Sequence, residues 1–157
     1  TEAKSENQFK VLFSEVFTIL KRYIESLIYA SSDDLRITRR LSKLDYVNNI
    51  PQKVLVTIMK ENGWDLQPGQ TIAYIIRDVK NKNPMKRYIS CEAFKGTFDR
   101  GKYAELMIRA TFNILQPFGI SIDFVKEQLK KTKQLKLDDK RFIPLITERV
   151  KNIETIE

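Results

Sequence analysis

The sequence predicts an α+β fold, mostly helical, with about four or five helices and a small antiparallel sheet. Three observations carry that expectation. Apolar residues recur at three- and four-residue spacing in several stretches, the signature of helices with one buried face. Two short runs, Thr71 to Ile76 and Tyr88 to Phe94, are bounded by turn residues and are too short for helices of ordinary length. With 157 residues and 42% hydrophobic content, the chain can bury one sizeable core. A single domain over 1–137 and a C-terminal tail over 138–157 are therefore expected.

The first helix runs from about 6 to 29, because Phe9, Leu12, Phe13, Val16, Leu20, Tyr23, Ile24 and Leu27 share one face. Ser31-Ser32-Asp33-Asp34 breaks the pattern. Leu35 and Ile37 then alternate with Arg36 and Thr38 as a short strand with a basic face. Pro51 suits the first turn of a second helix, carried by Val54, Leu55, Ile58 and Met59 and closed at Gly63. After the turn at Pro68-Gly69, Thr71 to Ile76 is apolar on both faces, as in a well-covered strand. A basic loop, Lys80 to Arg87, leads to Tyr88 to Phe94 as the returning strand. Asp99 is placed to cap a third helix whose apolar positions, Tyr103 to Leu115, hold helical spacing up to Pro117. Gly119 closes that segment, and Ser121 or Asp123 caps a fourth helix through Leu129. A last helix is expected around Leu145 to Ile153, after Pro144.

Composition excludes several kinds of chemistry. The chain has no histidine and a single cysteine, Cys91, so Cys-His and Ser-His-Asp arrangements, histidine-ligated metal, a zinc site and an internal disulfide cannot be built. The lone cysteine suits a reducing compartment, and a cytoplasmic location is expected. No apolar run approaches the roughly 20 residues needed to span a bilayer, and the polar start Thr1 to Gln8 does not read as a signal peptide. Asp33-Asp34 and Asp138-Asp139 read as cap and loop residues, because adjacent carboxylates diverge and no third one completes a two-metal site. A catalytic residue is not found. Lys and Arg total 28 against 20 acidic residues, a net charge of +8, which favours a polyanionic partner or an acidic protein surface.

Two clusters concentrate that charge. Lys126, Lys130, Lys131, Lys133 and Lys136 stand against a single acid, Glu127, between Phe124 and Leu137. Such density holds a sugar-phosphate backbone through counterion release, and Thr132 and Gln134 add short polar contacts. The competing reading is a solvated helix end whose lysines complement the dipole. Upstream, Thr38, Arg39, Arg40, Ser42 and Lys43 repeat the mixture of hydroxyls and cations. On a strand Thr38 and Arg40 face one side and Arg39 the other, so one ligand does not reach all of them. Here the competing reading is an edge strand protected by charge.

The order of these motifs resembles the thumb and C-terminal region of archaeal family B DNA polymerases. Ile37-Thr38-Arg39-Arg40-Leu41-Ser42-Lys43 with Tyr46 is similar to that family's Ile-Thr-Arg or Ile-Thr-Lys strand. Pro51 to Gly63 stands for its Pro-His-Val helix, with Gln52 in the place of the histidine. Pro68-Gly69-Gln70-Thr71-Ile72-Ala73-Tyr74-Ile75 matches its Pro-Gly turn and Ile-x-Tyr-Ile strand. Asp99, Tyr103 and Ile114-Leu115-Gln116-Pro117-Phe118-Gly119 echo its next helix, although a proline often found within that helix is missing near Arg109. Lys131-Thr132-Lys133-Gln134 is its Lys-Thr-Lys-Gln tetrad.

The resemblance implies that the chain grips primer-template duplex through the backbone. Lys131, Thr132, Lys133 and Gln134 are the first candidate contacts, with Thr38, Arg39, Ser42, Lys43 and Gln52 next. It also implies Mg2+ for the complete polymerase but no cofactor in this chain, which lacks the Asp-Thr-Asp palm motif. Alone, the chain is expected to be inactive in nucleotide transfer. The expected partners are duplex DNA and the remaining catalytic part of the polymerase. A sliding clamp enters by association with the family only, since no Gln-x-x-Leu-x-x-Phe-Phe type motif is present, and no membrane is expected. The chain is then a C-terminal fragment or the small subunit of a split enzyme. The alternative is an independent, non-catalytic DNA-binding or adaptor module with a thumb fold.

Overall fold

A computed structural model describes residues 2–131, except the side chains of 2–7, 9, 10 and 131. The tail over 138–157, its helix near Leu145 and the pair Asp138-Asp139 lie outside the described residues. The fold is α+β, with five α-helices and a three-stranded antiparallel sheet among those residues. Contacts divide the chain into two compact units, one spanning Leu27–Leu106 and the other, within the described residues, comprising 2–26 and 107–131.

The first helix, α1 (Glu2–Ser26), begins earlier than the apolar stripe suggested and gives way to a 3-10 turn at Leu27–Tyr29. Its extra N-terminal turn contains Glu2, Ala3, Lys4 and Glu6, residue types of high intrinsic helix propensity. Phe17 and Leu20 of α1 are buried with Leu115 and Val125, and Phe13, Val16 and Ile24 pack against them. Those partners come from the end of α4 (Arg100–Leu115) and from α5 (Ile122–Lys131). Edge-on rings of Phe17 and Phe124, 6.2 Å apart, and a hydrogen bond from Lys21 Nζ to Leu129 O at 3.3 Å tie α1 to α5. Ser121 caps α5, its Oγ accepting from Phe124 N–H at 3.2 Å, while Asp123 lies in the first turn.

In the other unit, Ser31 to Leu35 departs from the expected break and strand start. A one-turn helix, α2 (Ser32–Leu35), forms because Ser31 and Asp34 make a reciprocal capping box. Asp34 N–H donates to Ser31 Oγ at 3.3 Å, and Ser31 N–H donates to Asp34 Oδ2 at 2.9 Å. Leu35 thus ends a helix, and the strand β1 (Ile37–Arg40) starts two residues later. Asp33 pairs with Arg36 at 3.1 Å, so both members of that acidic pair have local roles.

Helix α3 (Pro51–Glu61) starts at its proline, as expected, and contacts β2 (Thr71–Ile76) and β3 (Tyr88–Ser90). Strand order is β1-β2-β3, with Ile37 opposite Tyr74 and Arg40 opposite Thr71 on one side, and Ile76 opposite Tyr88 on the other. The middle strand is therefore the one covered on both faces, with Ile72, Tyr74, Ile75 and Ile76 buried. They join Leu35, Leu41, Val54, Leu55, Leu66 and Tyr103 among the core residues. β3 is shorter than the expected Tyr88 to Phe94, because Ser90 turns the chain: its carbonyl and its Oγ both accept from Ala93 N–H.

Candidate nucleic-acid interface

Among the described residues, the upstream basic segment occupies an edge of the sheet, where β1 pairs on one side only. Thr38, Arg39, Arg40, Ser42 and Lys43 are all exposed. Strand pairing sets their directions: Thr38 and Arg40 share a face with Ala73 and Thr71, and Arg39 shares the opposite face with Ile72. Arg39 lies close enough to Tyr74 for its charge to oppose the effect of burial, which raises the Tyr74 pKa. Thr38 and Arg39 are thus neighbours in sequence that address different surfaces.

What fixes the end of this segment is Leu41, fully buried and hydrogen-bonded to the Pro68-Gly69 turn. Its N–H donates to Gln70 O at 2.8 Å, and Gly69 N–H donates to its carbonyl at 2.6 Å. Gly69 has φ +94°, the left-handed region that a type II turn requires after proline. A Cβ built there would stand 3.7 Å from the Arg40 guanidinium, so the cation lies along the turn. Two of the sequence motifs are in this way one structural unit.

Beyond Leu41, Tyr46 organises the loop. Its hydroxyl accepts from Ser42 N–H at 3.1 Å, lies 3.3 Å from Ser42 Oγ, and its ring sits under Lys43 Nζ, 5.6 Å from the centroid. The Ser42 hydrogen bond lowers the Tyr46 pKa. The sequence pointed to Tyr46 only through the family resemblance, although a tyrosine four residues after a serine was the available signal. Lys43 and Ser42 are held in place by it while remaining exposed.

Gln52 is half-buried in the first turn of α3. The residue ahead of that helix, Ile50, supplies no side-chain cap, and Lys53 Nζ donates to Val47 O at 2.8 Å across the entry to the helix. The structure gives Gln52 no bond to the Thr38–Lys43 group. Of the downstream tetrad, Lys131 is described in its backbone alone, as the last residue of α5, and Thr132, Lys133 and Gln134 lie outside the described residues.

Other candidate chemistry is accounted for locally. Cys91 is free and half-buried, and burial pushes its thiol pKa up, away from the thiolate needed for nucleophilic attack. Among the described residues, no group of three or more His, Cys, Asp or Glu is placed to hold a metal ion. No described helix is long and apolar enough to cross a membrane. Neither a protein-family model nor a curated protein sequence matches the chain.

Proposed function

We propose that this chain is the DNA-binding thumb of a family B DNA polymerase, present as a C-terminal fragment or as the small part of a split enzyme. The observation that supports the reading most is the Thr38–Lys43 segment. It is exposed and cationic, and Leu41 anchors it to the Pro68-Gly69 turn, the motif that the resemblance places after it. In this reading the chain works at the nucleoid, holding primer-template duplex for a catalytic chain.

The chemistry is backbone neutralisation. Arg40 and Lys43 offer charge, Thr38 and Ser42 offer hydroxyls, and Lys131, Thr132, Lys133 and Gln134 repeat that mixture downstream. Contacts of this type set register on a duplex and carry no sequence information. In this reading Mg2+ belongs to the complete polymerase. An assay of fluorescence anisotropy with labelled duplexes of unrelated sequence tests the reading. Affinity is expected to be similar for each duplex and to fall steeply with salt. Absence of duplex binding at low salt contradicts it. Duplex binding without any effect on a polymerase favours the independent module.

A further inference from the structure

A second cationic site lies at the far end of β2. Asp99 N–H donates to Ile76 O at 2.9 Å, and Asp99 Oδ2 accepts from Val79 N–H at 2.9 Å. These bonds draw the segment after β2 against the start of α4. Between them opens a cleft of about 520 Å3, with Arg77, Lys80, Arg100 and Lys102 in its lining.

The acids of the lining are already engaged. Asp99 Oδ1 accepts from Lys102 N–H at 2.9 Å, Asp78 Oδ2 accepts from Asn81 Nδ2 at 3.0 Å, and Glu105 pairs with Lys102 at 3.3 Å. Among the described residues, Arg77, Lys80 and Arg100 have no acidic partner within ion-pair distance. The lining thus carries four cations against three acids, an excess of positive charge. Arg77 and Arg100 carry guanidinium groups, whose forked donors can hold two oxygens of a tetrahedral oxyanion at once.

We infer that this cleft binds a phosphate-class oxyanion. It is separate from the Thr38–Lys43 segment: Arg40 pairs with Thr71 at the start of β2, whereas Arg77 follows its last residue. The rise of a strand puts Thr71 and Arg77 about 20 Å apart. The phosphate is either a phosphodiester of a nucleic acid or a free phosphorylated small molecule, and the assignment does not require the thumb reading.

The test uses the full chain and two probes. Inorganic phosphate is titrated at low ionic strength while the backbone amides of Arg100, Gly101 and Lys102 are followed by NMR, and a labelled duplex is titrated by anisotropy. The double variant K80Q/R100Q is compared with the parent, with R77Q as a second variant should the double one fail to melt cooperatively. Saturable shifts at those amides, weakened about tenfold in the variant, are expected. A parallel loss of duplex affinity identifies a nucleic-acid phosphodiester as the source. Unchanged duplex affinity, or no duplex binding by either protein, identifies a free phosphorylated ligand. Absence of saturable shifts, or shifts that both variants leave unaltered, overturns the inference.

Discussion

Tyr103 shows how much one side chain contributes to the Leu27–Leu106 unit. Its hydroxyl donates to Leu35 O at 2.7 Å and accepts from Ile76 N–H at 3.0 Å, in a position only 7% exposed. Replacing it by phenylalanine leaves a buried carbonyl and a buried N–H without partners, a cost of about 1–3 kcal/mol by denaturant unfolding. Burial pushes its pKa up to about 12 from the ordinary 10.0. A raised pKa means that the folded state favours the protonated phenol. Its stabilising effect is thus complete below about pH 10 and is lost as pH rises from about 10 to about 12. Unfolding midpoints of the parent should fall across that window, and those of Y103F should fall less. Gly69 makes the second residue-scale case. Its φ is +94°, and the Arg40 guanidinium lies at an ordinary 3.7 Å from where a methyl group would stand, so Gly69→Ala is strained through its backbone rather than through space. A loss of about 1–2 kcal/mol in thermal or denaturant melts is expected.

At the scale of elements, the central strand β2 fixes the sheet and has a cationic site at each end. Ile75 is fully buried in it, so Ile75→Ala should cost about 2–5 kcal/mol in chemical denaturation. The downstream cluster allows a different experiment. Lys131→Ala with Lys133→Ala should weaken duplex binding about equally for unrelated sequences and flatten the logarithmic salt slope by about one to two units. Affinity unchanged at low salt would remove that cluster from the interface. Much of the element pattern was legible in the sequence. Thr71–Ile76 is bracketed by a Pro-Gly turn and Asp78, and Pro51 marks the first residue of α3, so local chemistry alone defines both. The one-turn helix Ser32–Leu35 was missed because it is too short to show periodicity, although Ser31 and Asp34 had the spacing of a capping box. The Tyr103 bridge was not legible at all, since its partners lie 27 and 68 residues away. The cleft cations were hidden for the same reason: Arg77 and Arg100 line one cleft because Asp99 bonds to Ile76 and Val79, which no sequence spacing encodes.

For the molecule as a whole, the two units are built by different means. One packs α1, the end of α4 and α5 around Phe17, Leu20, Leu115 and Val125; the other covers a small sheet with short helices and presents its basic residues from an edge strand, a turn and a cleft. An edge strand rich in Arg also resists pairing with other chains, so the charge of β1 has a structural role alongside the proposed one. Duplex binding by itself does not separate a thumb from an independent module. The most direct measurement is primer extension by a family B catalytic chain lacking its thumb, with and without this protein added in excess. The thumb reading predicts longer products and tighter retention of primer-template when the protein is present, and a diminished effect with Lys131→Ala and Lys133→Ala. Product lengths unchanged by the protein, under conditions where it binds the same duplex, would contradict it.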